Sequence, residues 1–164
     1  MPASLAPSEL VTLLGDRFAG PPSFTTGKRL VPGLPDPVAL NPLGDLIVQA
    51  ALLGLERDGL VHLDRAPKST LFGLRKTHTV LVRRTGSGSP VGRVEAGLLG
   101  ALGPEPIEVD EAVYGWFGED QSWPQAYVVD EVVGGLVERG AVERTETQEK
   151  GLIRTKTSVT FSVP

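Results

Sequence analysis

Arg65, Lys68, Arg75, Lys76, Arg83, Arg84 and Arg93 fall between residues 65 and 94 with no carboxylate among them, a run of seven cations suited to meeting an anion. Inside that run lies Thr85-Gly-Ser-Gly-Ser-Pro-Val-Gly92, flanked by Arg83, Arg84 and Arg93. A glycine-rich turn between a strand and a helix start is a place where backbone N–H groups hold phosphate. The spacing here is not that of a dinucleotide fingerprint, Pro90 removes a donor, and the GK[ST] ending of a triphosphate loop is missing. A plain flexible connector is the competing reading.

Other chemistries find less material. His62 and His78 are the two histidines, each within a strand-like stretch and without a partner at ligand spacing, and cysteine is absent, so no metal site is expected. The acids from Glu105 to Glu111 and the pair Asp130-Glu131 lie on polar, hydrated faces that do not raise a carboxyl pKa, so no catalytic residue is assigned and no cofactor is implied. Two Trp, two Tyr and five Phe leave little for base stacking.

Net charge of −4 conceals a division along the chain: from Glu95 to Lys150 thirteen acids face Arg139, Arg144 and Lys150. A positive ribbon attached to an acidic helical body is one arrangement, and mutual neutralisation is the other. The 164 residues, 40% hydrophobic, suit a single domain over 1–164. Cysteine-free composition, no basic leader ahead of Leu14 and no membrane-length apolar run lead us to expect a cytoplasmic protein.

Two phrases recur and set the architecture. LERDGLV, Leu55 to Val61, and LVERGAV, Leu136 to Val142, each close an apolar helical run with a glycine and then a β-compatible residue. After each comes an echo, GLRKTHTV from Gly73 and GLIRTKTSV from Gly151, that reads as the return strand of a ribbon. The fold class expected is therefore α+β, a mainly helical bundle with small β-hairpins and two helix-to-strand, winged-helix-like corners.

The remaining elements follow from local signals. Ser8 is read as the cap of a first helix that packs through Leu10, Val11, Leu13 and Leu14 and ends at Gly15. A Pro/Gly-rich arm spans 20–42, with six prolines and three glycines. A central buried helix covers Leu43 to Asp58, with Asp45 near its positive end. Strands at Leu60 to Asp64 and Thr77 to Arg84 are separated by a loop over Ala66 to Leu74. Ser89-Pro90 marks a helix start followed by Val91, Val94, Leu98 and Leu102. Helices are read over Glu108 to Phe117 and, after Ser122-Trp-Pro-Gln125, along the stripe Val128, Val129, Val132, Val133, Leu136 and Val137. The chain ends in a hairpin turned at Gly151.

SELVTLL, LERDGLVHL, VLVRRTGSGSPVGRVEAGLLGAL and LVERGAVERTETQEKGLIRTKTSVTF, in this order from Ser8 to Phe161, resemble the Golgi phosphoprotein 3 family and its bacterial relatives. The resemblance implies a mostly helical peripheral membrane protein that binds phosphatidylinositol 4-phosphate, dips an apolar hairpin tip into the bilayer and serves as a protein adaptor. The family's headgroup arginines fall near Val48, Val129 and Glu131, where this chain has no cation, and no tryptophan precedes Asp45. What carries over is the tip, Leu152 and Ile153 between Lys150 and Arg154, and the ribbon cations Arg75, Lys76, Arg83 and Arg84. These readings lead to a non-enzymatic binding module, on anionic lipid headgroups at the inner face of a membrane or on a protein partner, with Arg93 as a further anion contact. The alternative is a tandem winged-helix-like protein that binds DNA or another protein. Against DNA, the helix from Gln125 to Arg139 presents acids where a reading helix presents cations.

Overall fold

The computed structural model describes residues 4–70, 75–118, 123–151 and 153–164. In chain order the elements are α1 (Pro7–Leu13), α2 (Gly15–Phe18), β1 (Lys28–Arg29), β2 (Val38–Ala39), α3 (Leu40–Arg57), β3 (Val61–Thr70), β4 (Arg75–Arg84), α4 (Arg93–Ala101), β5 (Ile107–Glu108), α5 (Val109–Phe117), α6 (Pro124–Glu138), β6 (Glu143–Lys150) and β7 (Thr155–Ser162). This is an α+β fold. Among the described residues the strands form three antiparallel sheets, β1-β2, β3-β4-β5 and β6-β7.

The core forms around α3, whose Leu43, Ile47, Ala51, Leu52 and Leu55 are buried against Val94 and Leu98 of α4, Val113 of α5, and Val128, Val132 and Leu136 of α6. The stripe read on α6 is the stripe that packs. On α3 the apolar character runs further round than burial does: Leu53 stays 60% exposed. The helix also starts three residues earlier than its apolar run suggests, because Pro42 fits in a first turn, where no N–H partner is needed. Asp45 therefore lies beyond that first turn.

The two recurring phrases form one structure twice. At the end of α3, Gly59 N–H donates to Glu56 O at 2.9 Å and Leu60 N–H to Leu55 O at 2.9 Å, with Gly59 at φ +72°. At the end of α6, Gly140 N–H donates to Val137 O at 3.0 Å and Ala141 N–H to Leu136 O at 2.9 Å, with Gly140 at φ +69°. Both are Schellman caps, which satisfy the last carbonyls and turn the chain into a strand.

Several expectations need correction. Ser8 is not the cap of α1: the chain enters at Ala6, and although Val11 and Leu13 pack on the core as expected, Leu10 and Leu14 are exposed and Ser8, Glu9 and Thr12 are buried. The reason is a pair of buried carboxylates. Glu95, 3% exposed, accepts the Ser8 N–H at 3.0 Å and the Ser8 hydroxyl at 2.8 Å, while Glu9, 1% exposed, accepts the Ala6 N–H at 2.8 Å and pairs with Arg139. Gly15 does not end the helical path but opens α2. Helix α4 begins at Arg93, not at Ser89-Pro90, and Val91 is exposed. At Gly92, just ahead of the helix, Ala6 and the Glu95 carboxylate leave no room for a side chain.

The span Ala66–Thr70 is strand, not loop. It stays in register with Arg75–Thr79, and Pro67 is tolerated because β3 has β4 on one side only. Cross-strand pairing with β-forming threonines outweighs the weak propensities of Pro67, Lys68 and Ser69. The rest of that loop, residues 71–74, and Ser122 lie outside the described residues.

Replacing Gly59 or Gly140 by alanine meets no steric neighbour, so each substitution isolates the backbone penalty and should lower unfolding free energy by about 1–2 kcal/mol in urea titrations. Glu95→Ala strands two buried donors of Ser8 and should cost about 2–4 kcal/mol, against less than about 0.5 for the exposed Glu105→Ala.

Candidate functional site

The pleat of the first ribbon separates the cations that the sequence groups together. Arg83 lies opposite His62, whereas Lys76 opposite Ser69 and Arg84 opposite Val61 belong to the other face. Arg83 and Lys76 are exposed. Arg84 is committed to the fold, donating from Nε to Gly86 O at 2.9 Å and from Nη1 to Leu99 O at 3.5 Å. Lys68 Nζ holds both oxygens of Glu108 at 2.8 Å. Arg75 pairs with Thr70 in the backbone register. Arg93 lies along Gly134 and Gly135 of α6 and is paired with Glu131 at 3.7 Å and with Glu138. The expected anion set, Arg75, Lys76, Arg83, Arg84 and Arg93, therefore does not converge on one point.

Nor is the glycine-rich connector an open phosphate cradle. Thr85 and Gly86 both donate their N–H groups to Leu60 O, at 3.0 and 3.2 Å, and the Thr85 hydroxyl donates to Gly59 O at 3.2 Å. The connector is packed onto the first corner, and the start of α4 is filled by the chain's own Glu95. His62 lies 3.3 Å from Asp64 and 3.7 Å from Glu56 through its two ring nitrogens, a surface arrangement. Among the described residues no three His, Asp or Glu gather as metal ligands.

The second ribbon differs. Every residue of β6 is exposed, and β7 turns only Val159 and Phe161 partly inward. Gly151 N–H donates to Arg154 O at 3.1 Å and closes the turn, leaving Ile153 94% exposed between Lys150 and Arg154. Leu152, the other expected tip residue, lies outside the described residues.

At the base of this ribbon, Arg144, Val159 and Phe161 share a cleft of about 890 Å³ with Lys28 and Arg29 of the arm and Arg93 of α4. Arg29 reaches Asp130 at 3.4 Å, and its buried Nε has no hydrogen-bond partner. Lys28, Arg29 and Arg144 were not singled out from the sequence. The signal available was the stretch between Asp16 and Asp36, which carries Arg17, Lys28 and Arg29 and no carboxylate.

A separate cavity of about 420 Å³ includes Val48, one of the positions on which the resemblance places headgroup arginines. Asp45 and Asp110 line it together with Gln49, Tyr114 and Gln125, and no cation does. An anionic headgroup finds no counter-charge there. No family model matches the chain, and no curated protein or solved structure matches it either.

Proposed function

We propose that the protein is a non-enzymatic peripheral module that binds anionic phospholipid surfaces through the β6–β7 hairpin. The observation that carries this reading is the tip: an aliphatic side chain presented almost wholly to water between two cations, on a ribbon whose first strand is exposed at every position. An exposed apolar group rimmed by charge suits the boundary between headgroups and acyl chains. No described helix is long and apolar enough to cross a membrane.

Magnitudes decide how strong such attachment can be. Full burial of one isoleucine is worth about 1.5–3 kcal/mol, and each cation near an anionic surface about 1 kcal/mol. Lys150, Arg154 and Lys156 lie at this end of the ribbon and Glu149, opposite Lys156, offsets one of them. The sum is about 3.5–5 kcal/mol, a millimolar to sub-millimolar affinity for this element alone. Reversible, composition-dependent binding follows.

The groove-reading alternative has less support. The first corner's helix, α3, shows solvent a face of Asp45, Gln49, Leu53 and Arg57 with one cation against one acid, and α6 directs Asp130 and Glu138 outward. Neither offers a cationic helix face to a duplex.

Sedimentation with vesicles of phosphatidylcholine and graded phosphatidylserine tests the proposal. Binding should rise with the anionic fraction and fall with salt, Ile153→Ser should weaken it by about tenfold, and Lys150→Glu/Arg154→Glu should weaken it by more than about thirtyfold. Arg83→Glu, on the other ribbon, should change it less than about threefold. Absence of binding at every composition overturns the reading.

A further inference from the structure

We propose that Phe24 is a second membrane anchor, an aromatic wedge on the arm that enters the interfacial zone of an anionic bilayer beside the hairpin. The proposal rests on the membrane reading above and adds a contact that reading lacks, since a single short apolar insertion gives only marginal attachment and a second signal is needed for stable anchoring.

Phe24 is as exposed as in an extended peptide, at 104%. Its turn is nevertheless held in place. Ser23 N–H donates to the Thr26 hydroxyl at 2.8 Å, Ser23 and Gly27 form a bridge, and the carbonyls of Thr26 and Gly27 accept the N–H groups of Asn41 and Leu40 at 3.0 and 3.3 Å. Those two donors open α3, so the turn that displays Phe24 is also the cap of the central helix. A ring fixed on such a support loses little further freedom on binding.

The surroundings favour lipid over protein. Phe24 is flanked by the hydroxyl residues Ser23, Thr25 and Thr26 and by exposed Pro21 and Pro22, less apolar surface than the centre of a protein interface of about 800 Å² per partner requires. A bilayer boundary takes a lone ring without a complementary pocket. Half-exposed Trp123 stands against Gly27, its Nε1 donating to Asn41 Oδ1 at 2.8 Å, and supplies the kind of ring that accumulates at that depth. Lys28 is exposed and has no ion-pair partner among the described residues, matching an anionic surface. Lys28 and Arg29 share the cleft with Arg144 and Phe161, which places this part of the arm beside the base of the hairpin, so that Phe24 and the tip meet one bilayer when the ribbon lies along it.

The test uses the full chain with the same vesicles, comparing native protein, Phe24→Ser, Phe24→Trp and Ile153→Ser. Phe24→Ser should leave the urea midpoint unchanged and weaken vesicle binding by about tenfold. Phe24→Trp should bind as the native chain does and show added emission that is quenched by vesicles with brominated acyl chains. If Phe24→Ser binds like the native chain while Ile153→Ser does not, the second anchor is overturned and the hairpin reading stands. If Phe24→Ser instead lowers the solution mass and the Phe24→Trp emission is not quenched, the ring serves a protein contact and the proposal is overturned. If the native chain binds no vesicle, both readings fall together.

Discussion

Helix α3 can be buried only if neither of its ends is left with unpaired backbone groups, and much of the molecule follows from that requirement. An 18-residue apolar helix in the middle of a core has free N–H groups at one end and free carbonyls at the other. No side chain caps its start. The arm does so instead, by folding the Thr26 and Gly27 carbonyls onto Leu40 and Asn41. At the far end Gly59 turns the chain so that Leu60 and Gly59 close the last carbonyls. The arm's rigid turn and the first ribbon's point of departure are thus two consequences of one constraint.

A second constraint ties the chain's beginning to its later helices. Glu9 and Glu95 are buried carboxylates, and a buried oxygen left without a hydrogen bond is costly. Each has its oxygens occupied: Glu95 by Ser8, Glu9 by Ala6 and by Arg139 at the end of α6. Arg139 also donates to Ser4 O at 3.2 Å. The result is a polar seam that ties α1 to α4 and to the end of α6. It also accounts for Leu10 and Leu14 facing water: the helix is oriented by its carboxylate and hydroxyl, and the leucines take what remains.

What was legible in the sequence follows the range of the interactions involved. The Gly59 and Gly140 corners, the α6 stripe and the final hairpin depend on residues within about one turn or one register step, and spacing alone showed them. Ser8, the start of α4 and the outer half of β3 depend on partners far along the chain. A serine before a helix reads as a cap until Glu95, 87 positions later, claims it. Pro67 reads as a loop until a threonine-rich partner strand holds it on an edge. The candidate site shows the same limit. Seven consecutive cations look like one patch in one dimension, but the pleat, the Arg84 contacts with carbonyls and the Arg93 pairing with α6 divide them. Arg144, Lys28 and Arg29, separated by more than a hundred positions, are the ones that meet.

The two ribbons, alike in sequence, therefore differ in physical standing. The first is tied down at its base: Val82 is fully buried, β5 adds a third strand, and Lys68 bonds to Glu108. Among the described residues the second has no third strand, and it is anchored through Phe161 and the Gly140 cap. A bare two-stranded ribbon in water is marginal, and Thr145 facing Thr160 and Thr147 facing Ser158 add only modest cross-strand contacts. Such an element gains most from a surface that covers one of its faces. In the proposed reading, a bilayer supplies that cover, and the free energy of ordering the ribbon is drawn from the same contact that holds the protein there. The rigid Phe24 turn has the opposite character: its ordering cost is already met by the capping of α3, so its insertion would contribute to affinity almost undiminished.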